Sequence, residues 1–215
     1  PSGKLNETYP LHYEDTPAYE YYPSKERSSE YREGLYVGYR YYTTVGKKVR
    51  FPFGFGLSYT TFTYRDLTVD PEGVKFKIQN TGTVAGTEIA QLYVGKESDS
   101  VFRPLRELKG FARVELAPGE EKEIRILFDD KTFRFYDTRT DSWEVETGTY
   151  QIMIGSNAEE MLLEGSLAVN GTVTEGGYSR EELPEYFSGE IKNISDDTFR
   201  RLYEEGKVRE EKEYA

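Results

Sequence analysis

Short apolar runs alternate with polar and turn residues along the middle of the chain. In one run Val74, Phe76 and Ile78 stand between polar neighbours, the period-two pattern typical of a half-buried strand. Comparable runs lie at 87–94, 113–116, 124–128, 143–145, 150–154 and 162–169. The pattern therefore predicts about seven short strands between residues 60 and 170.

Turn chemistry separates these runs. The segment Ala117-Pro118-Gly119-Glu120 suits a tight turn, because proline presets the second position and glycine tolerates the third. Turns recur roughly every 8–12 residues, as in an immunoglobulin- or fibronectin type III-like sandwich. No convincing helical period interrupts the runs, which argues against a parallel α/β fold. We therefore predict an all-β sandwich over residues 59–172.

Residues 1–58 form a leader of different composition. Eleven of the 19 tyrosines fall in the first 60 residues, together with several prolines. We predict mostly extended chain whose aromatic side chains pack on the following domain or on a neighbouring one. A partly disordered leader is the alternative.

Residues 173–215 are predicted to form an acidic, partly helical extension. Ser195 is placed to cap a helix that puts Phe199, Leu202 and Tyr203 on one face, and Gly206 is placed to end it. A single short helix is unstable alone, so we expect it to dock on a partner surface. For residues 207–215 a solvated, frayed tail is an equal alternative.

Composition narrows the functional classes. The formal charge of −11 argues against nucleic acid as a partner. Without cysteine, and with His12 as the single histidine, neither thiolate chemistry nor a His-rich metal site is available. No apolar stretch reaches the length of a membrane helix. We expect no cofactor, no metal site and no membrane partner.

Few residues of the sequence suggest catalytic or ligand-binding chemistry. The glycines of Phe53-Gly54-Phe55-Gly56 lack the rest of a phosphate-loop motif, and fit a tight backbone turn between packed rings. Glu144 and Glu146 alternate with apolar neighbours and are expected to be solvated. Trp143 is expected in the sandwich core, with sugar stacking as the less favoured alternative.

Several local strings resemble one known family. Residues 31–42 (YREGLYVGYRYY) and 51–62 (FPFGFGLSYTTF) are similar to the C-terminal region of glycoside hydrolase family 3, the β-glucosidase family. Residues 103–111 (RPLRELKGF), 116–120 (LAPGE) and 148–156 (GTYQIMIGS) resemble its fibronectin type III-like domain. The order and spacing match over roughly residues 31–170.

The resemblance also implies what this chain lacks. In the family the nucleophile is an aspartate of an N-terminal barrel, and the acid/base is a glutamate of an α/β sandwich domain. No residue here matches either motif, so no catalytic or substrate-binding residue is assigned. We interpret the chain as a structural, non-catalytic C-terminal part of a β-glucosidase-type enzyme. An independent carbohydrate-binding or adhesion module is the alternative, and a self-contained hydrolase is the least favoured.

The expected partners are therefore the barrel and the α/β sandwich domain of the parent enzyme. Arginine and aromatic residues are common at interfaces. Candidate interdomain or subunit contacts are Tyr39, Tyr41, Phe53, Arg103, Arg106 and Phe111. A homo-oligomer is left open. The compartment is not determined, with a bacterial cytoplasm favoured over secretion.

Overall fold

A computed structural model describes residues 1–23, 29–173 and 177–204 of the chain. The strands of this part of the chain are β1 (Tyr9–Pro10), β2 (Val49–Phe51), β3 (Phe62–Asp70), β4 (Gly73–Asn80), β5 (Gly86–Gly95), β6 (Glu107–Leu116), β7 (Glu121–Leu127), β8 (Arg134–Asp137), β9 (Ser142–Val145), β10 (Gly148–Gly155) and β11 (Met161–Val169). The helices are α1 (Tyr39–Thr44), α2 (Pro184–Ser188) and α3 (Asp196–Glu204), and short 3₁₀ turns lie at Tyr13–Asp15 and Ile191–Asn193.

Two antiparallel sheets build the sandwich. One has the strand order β11-β10-β5-β6, and the other has the order β3-β4-β7. Their facing sides enclose one apolar core, formed by Val74, Phe76, Ile78, Ala90, Leu92, Val94, Val114, Leu116, Ile126, Tyr150, Ile152 and Ile154. The all-β, fibronectin type III-like sandwich is thus confirmed, with seven strands in its two sheets.

One of these seven strands differs from those predicted. Strand β3 has no clean alternation because Asp66 adopts a left-handed backbone conformation with φ of 59°, and the pairing with β4 shifts register between Arg65 and Thr68. A bulge of this kind moves successive side chains out of the period-two pattern. The predicted turn at 117–120 is present: Gly119 has φ of 75°, and the Glu120 amide donates to the Ala117 carbonyl at 3.0 Å.

The expectation that Trp143 lies in the core is wrong. Strand β9 pairs only with β8 among the described strands, and this hairpin belongs to neither sheet of the sandwich. Trp143 is 56% exposed. Alternation fixes which residues share a face of a strand, but it does not say whether that face meets the core.

The leader and the tail are more ordered than their sequence patterns indicate. The leader, predicted as mostly extended, contains the six-residue helix α1, which is too short to show a helical period. In the tail, the Ser195 hydroxyl accepts a hydrogen bond from the Thr198 amide at 3.1 Å and caps α3 as predicted. Gly206, residues 207–215 and the side chain of Tyr203 lie outside the described residues. Within the described ranges, no helix is long and apolar enough to cross a membrane.

Candidate interdomain contact site

The leader covers part of the outer face of the four-stranded sheet. Tyr93 and Met153 alternate with the core residues of β5 and β10, so their side chains point away from the sandwich interior. They are buried all the same, because Tyr39 and Phe53 of the leader pack over them. The Tyr39 ring centroid lies 4.8 Å from that of Phe53 and 5.9 Å from that of Tyr93. The four-stranded sheet therefore makes apolar contacts on both faces: the inner face packs on the other sheet, and the outer face packs on the leader.

Polar contacts fix the position of the leader on this face. Gln91, a buried amide in β5, donates to the Gly54 carbonyl at 3.3 Å and to the Ser156 carbonyl at 2.8 Å. It also accepts a hydrogen bond from the Tyr93 hydroxyl at 2.6 Å. Gly54 has φ of 80°, and a Cβ there would lie 2.3 Å from the Gln91 Oε1. Gly54 therefore allows a close backbone approach to the sheet, whereas the sequence predicted only a tight backbone turn between packed rings.

The tail closes over the other side of the leader. A second apolar cluster combines leader and tail residues: Tyr36, Tyr41, Tyr42, Leu183, Tyr186, Ile191 and Ile194. The Tyr36 hydroxyl donates to the Tyr186 carbonyl, and the Tyr186 hydroxyl donates to the Arg32 carbonyl at 2.9 Å. Burial raises the pKa of Tyr42 to about 12. The surface on which the tail docks is thus part of the same chain.

Arg103 joins the 96–104 loop to the hairpin. Its guanidinium lies 3.0 Å from the Glu146 carboxylate and 4.9 Å from the centroid of the Phe135 ring. Lys96 lies 3.6 Å from the same carboxylate, and Ser98 donates to it at 2.6 Å. The expectation that Glu146 is solvated is therefore wrong, since the polypeptide surrounds this carboxylate with cations and hydrogen-bond donors.

The remaining candidates differ in exposure. Arg106 is half-buried, its pKa is lowered by burial, and it donates to the Ala158 carbonyl at 3.3 Å. Phe111 is 66% exposed on β6, an edge strand of its sheet. The structure thus places Tyr39, Tyr41, Phe53, Arg103 and Arg106 in contacts within the chain and leaves Phe111 on the surface. A contact with another domain or subunit stays a prediction for all six.

Sequence reasoning missed Gln91 and Tyr186, which hold the leader from its two sides. Gln91 is the single amide in the apolar run of β5, a signal that pointed to a specific buried hydrogen bond. Tyr186 had no comparable signal, because its partners are about 150 residues away in sequence. Across the described residues, no group of three or more His, Asp or Glu side chains is placed to hold a metal ion.

Comparison with known proteins agrees first on the class of domain. Residues 88–158 match the model of the fibronectin type III-like domain, which spans β5 to β10 of the sandwich. Among solved structures, a GH3 β-glucosidase from Bifidobacterium adolescentis superposes with a TM-score of 0.77 and 33% identity. The superposition covers 88% of this chain and 30% of that one. β-Glucosidase 3B from Thermotoga neapolitana, solved with α-D-glucose, gives a TM-score of 0.72.

Curated relatives agree with the resemblance. Thermostable β-glucosidase B of Acetivibrio thermocellus is 46% identical over 80% of this chain, and the match covers 24% of that protein. β-Glucosidase BoGH3A of Bacteroides ovatus is 40% identical over 81% of this chain, again with 24% of its own length covered. The resemblance is confirmed: the chain corresponds to one region of the family 3 β-glucosidases. It spans about a quarter of the length of these curated relatives.

Proposed function

We propose that this chain is the accessory C-terminal region of a family 3 β-glucosidase, and that the whole enzyme hydrolyses O-glycosidic bonds. One observation carries the proposal: the relatives match four fifths of this chain but only about a quarter of their own length. The remaining three quarters leave room for the barrel and the α/β sandwich domain that carry the catalytic carboxylates in this family.

The proposed role of the region is structural. The leader is held between the outer face of the sheet and the tail, so the three parts reinforce one another. The proposed division is a leader over 1–58, a sandwich over 59–172 and an extension over 173–215. A ladder of rings, Tyr9, Phe51 and Phe55, spaced 6.4 and 5.0 Å apart, lies on the leader. Together with Phe111 it offers apolar surface for the catalytic domains.

The first test is an activity assay. The purified 215-residue chain should not hydrolyse an aryl β-glucoside, whereas a full-length family 3 enzyme that contains this region should. Hydrolysis by the family needs two carboxyl groups at a defined separation in a cleft, and we assign neither to this chain. Turnover by the chain that survives repurification would contradict the proposal.

A further inference from the structure

A cleft of about 580 Å³ opens beside the sandwich. The β8–β9 hairpin forms one wall and the 100–104 loop forms another. Leu35 of the leader and Tyr178 and Leu202 of the tail also line it. We call this the aromatic cleft. Its volume falls within the range of about 300–1,000 Å³ that is usual for small-molecule sites.

Two rings of the hairpin line this cleft and are not part of the sandwich core. Trp143 is 56% exposed and Tyr136 is 46% exposed. The rings nevertheless have fixed positions: their centroids lie 5.3 Å apart at an interplanar angle of 74°, and the Arg134 guanidinium lies 4.3 Å from the indole centroid. The Tyr136 hydroxyl donates to Asp141 at 2.5 Å. A held but half-exposed indole is a preorganised contact surface.

Hydrogen-bond donors are abundant around these rings. The lining cations are Arg40, Arg103, Lys109, Lys131, Arg134 and Arg139. Five of the six lie within 4 Å of a carboxylate of the chain. Their charges are therefore largely compensated. Arg40 and Arg134 each pair with one carboxylate, and a guanidinium carries five N–H donors. Such a lining suits a ligand rich in hydroxyl oxygens rather than a polyanion, and the net charge of −11 also disfavours a polyanion.

We propose that the aromatic cleft is a non-catalytic binding site for a glucan chain. The apolar face of a pyranose ring packs on the Trp143 indole, and the guanidinium groups of Arg40 and Arg134 donate to its hydroxyl oxygens. The choice of glucose as the sugar rests on the proposed function. A second site on the same polypeptide raises the effective concentration of a long substrate near the catalytic domains.

The sole tryptophan of the chain makes the site directly observable. Titration of the 215-residue chain with cello- or laminari-oligosaccharides should give a saturable change in tryptophan emission, because Trp143 is the only tryptophan. The change should persist in about 1 M NaCl, where the Debye length falls to about 3 Å, since compensated cations contribute hydrogen bonds rather than net charge. Absence of any change, or a response only to acidic polysaccharide that salt abolishes, would overturn the proposal.

Variants give an independent readout in native gels that contain soluble β-glucan. Trp143→Ala should lose the retardation seen with the unaltered chain, by a factor of ten or more in apparent affinity, and Trp143→Tyr should keep part of it. Tyr59→Ala is the matched control, because Tyr59 is 83% exposed and does not line the cleft. Equal retardation of Trp143→Ala and Tyr59→Ala, with unchanged circular dichroism, would contradict the site.

The two proposals fail separately. Glucan binding by the isolated chain needs no hydrolysis, and the aryl-glucoside assay uses a substrate too short to bridge two sites. A full-length enzyme that hydrolyses the aryl glucoside but is not retarded by glucan would refute the binding site alone. A chain that is retarded by glucan, in a parent without glucosidase activity, would refute the proposed function alone.

Discussion

Glu146 shows how much one residue contributes to the arrangement of the loops. Its carboxylate accepts a hydrogen bond from Ser98 and pairs with Lys96 and Arg103 of the same loop. Its backbone carbonyl accepts a hydrogen bond from the Tyr150 hydroxyl at 2.9 Å. Burying these charged groups is tolerable only because they are paired and hydrogen-bonded together. One wall of the aromatic cleft, the 100–104 loop, therefore depends on a residue outside its lining.

Asp137 supports a prediction about pH at the same scale. Burial acts to raise the pKa of this carboxyl, but hydrogen bonds from Arg139 outweigh it, and the pKa lies below its usual value. The ionised Asp137 carboxylate therefore stabilises the folded state fully above the unfolded-state pKa near 4. This contribution is lost as the pH falls through the folded-state pKa. Asp137→Asn should lower the free energy of unfolding by about 1.5–3 kcal/mol at pH 7.

Urea titrations of both proteins at several pH values measure this difference. It should shrink steadily once the pH drops below about 4, because the unaltered carboxyl then becomes protonated too. Glu123→Gln, on an exposed residue of β7, serves as the control and should change stability little at any pH. A difference for Asp137→Asn that is constant down to acid pH would show that the carboxyl does not act through its charge.

At the scale of elements, the leader depends on the tail. Tyr186 of α2 is buried against leader residues, and its ring lies 5.3 Å from that of Phe102. Tyr186→Ala should cost about 3–5 kcal/mol if the cavity does not collapse. The loss should be local, because the sandwich has a separate core.

Hydrogen exchange with mass spectrometry can locate the effect. Amides of residues 31–45 should exchange faster in Tyr186→Ala, while those of β4, β5 and β10 keep their protection. Tyr31→Ala, which removes a strongly exposed ring from the same segment, should leave both regions unchanged. Uniform deprotection of the sandwich in Tyr186→Ala would mean that leader and sandwich unfold as one unit.

The elements also show what the sequence could and could not predict. Strand β4 and the turn around Gly119 were readable because their signals are local: strict alternation, and a proline–glycine pair. Strand β3 was not, since the left-handed Asp66 interrupts its period. Only part of the candidate site could be predicted from the sequence. The aromatic richness of the leader indicated packing, but the tail contact joins residues far apart in the chain, and no local pattern encodes such a pairing.

At the scale of the whole molecule, the exposed Phe111 is the candidate best suited to test docking. In a full-length enzyme, Phe111→Ala should destabilise the docked state by about 1–2 kcal/mol, seen as a lower unfolding temperature or a changed oligomeric state. In the isolated chain it should do almost nothing, because the ring is already exposed there. Calorimetry of both forms measures the contrast.

Two further variants complete this comparison. Leu127→Ala removes a side chain that is 63% exposed on β7 and should be silent in both forms. Arg103→Ala should destabilise both forms, since Arg103 makes its contacts within the chain. If Phe111→Ala behaves like Leu127→Ala in the full-length enzyme, Phe111 is not part of an interdomain contact.

The leader that covers Tyr93 and Met153 has a practical consequence for exchanging this region between related proteins. The matched domain alone, residues 88–158, or even a graft that starts at residue 59, would leave these two side chains facing water. A bare apolar sheet face invites self-association. A graft that also carries residues 1–58 and the extension brings its own cover. The segment suited to exchange between homologues is therefore longer than the matched domain at residues 88–158.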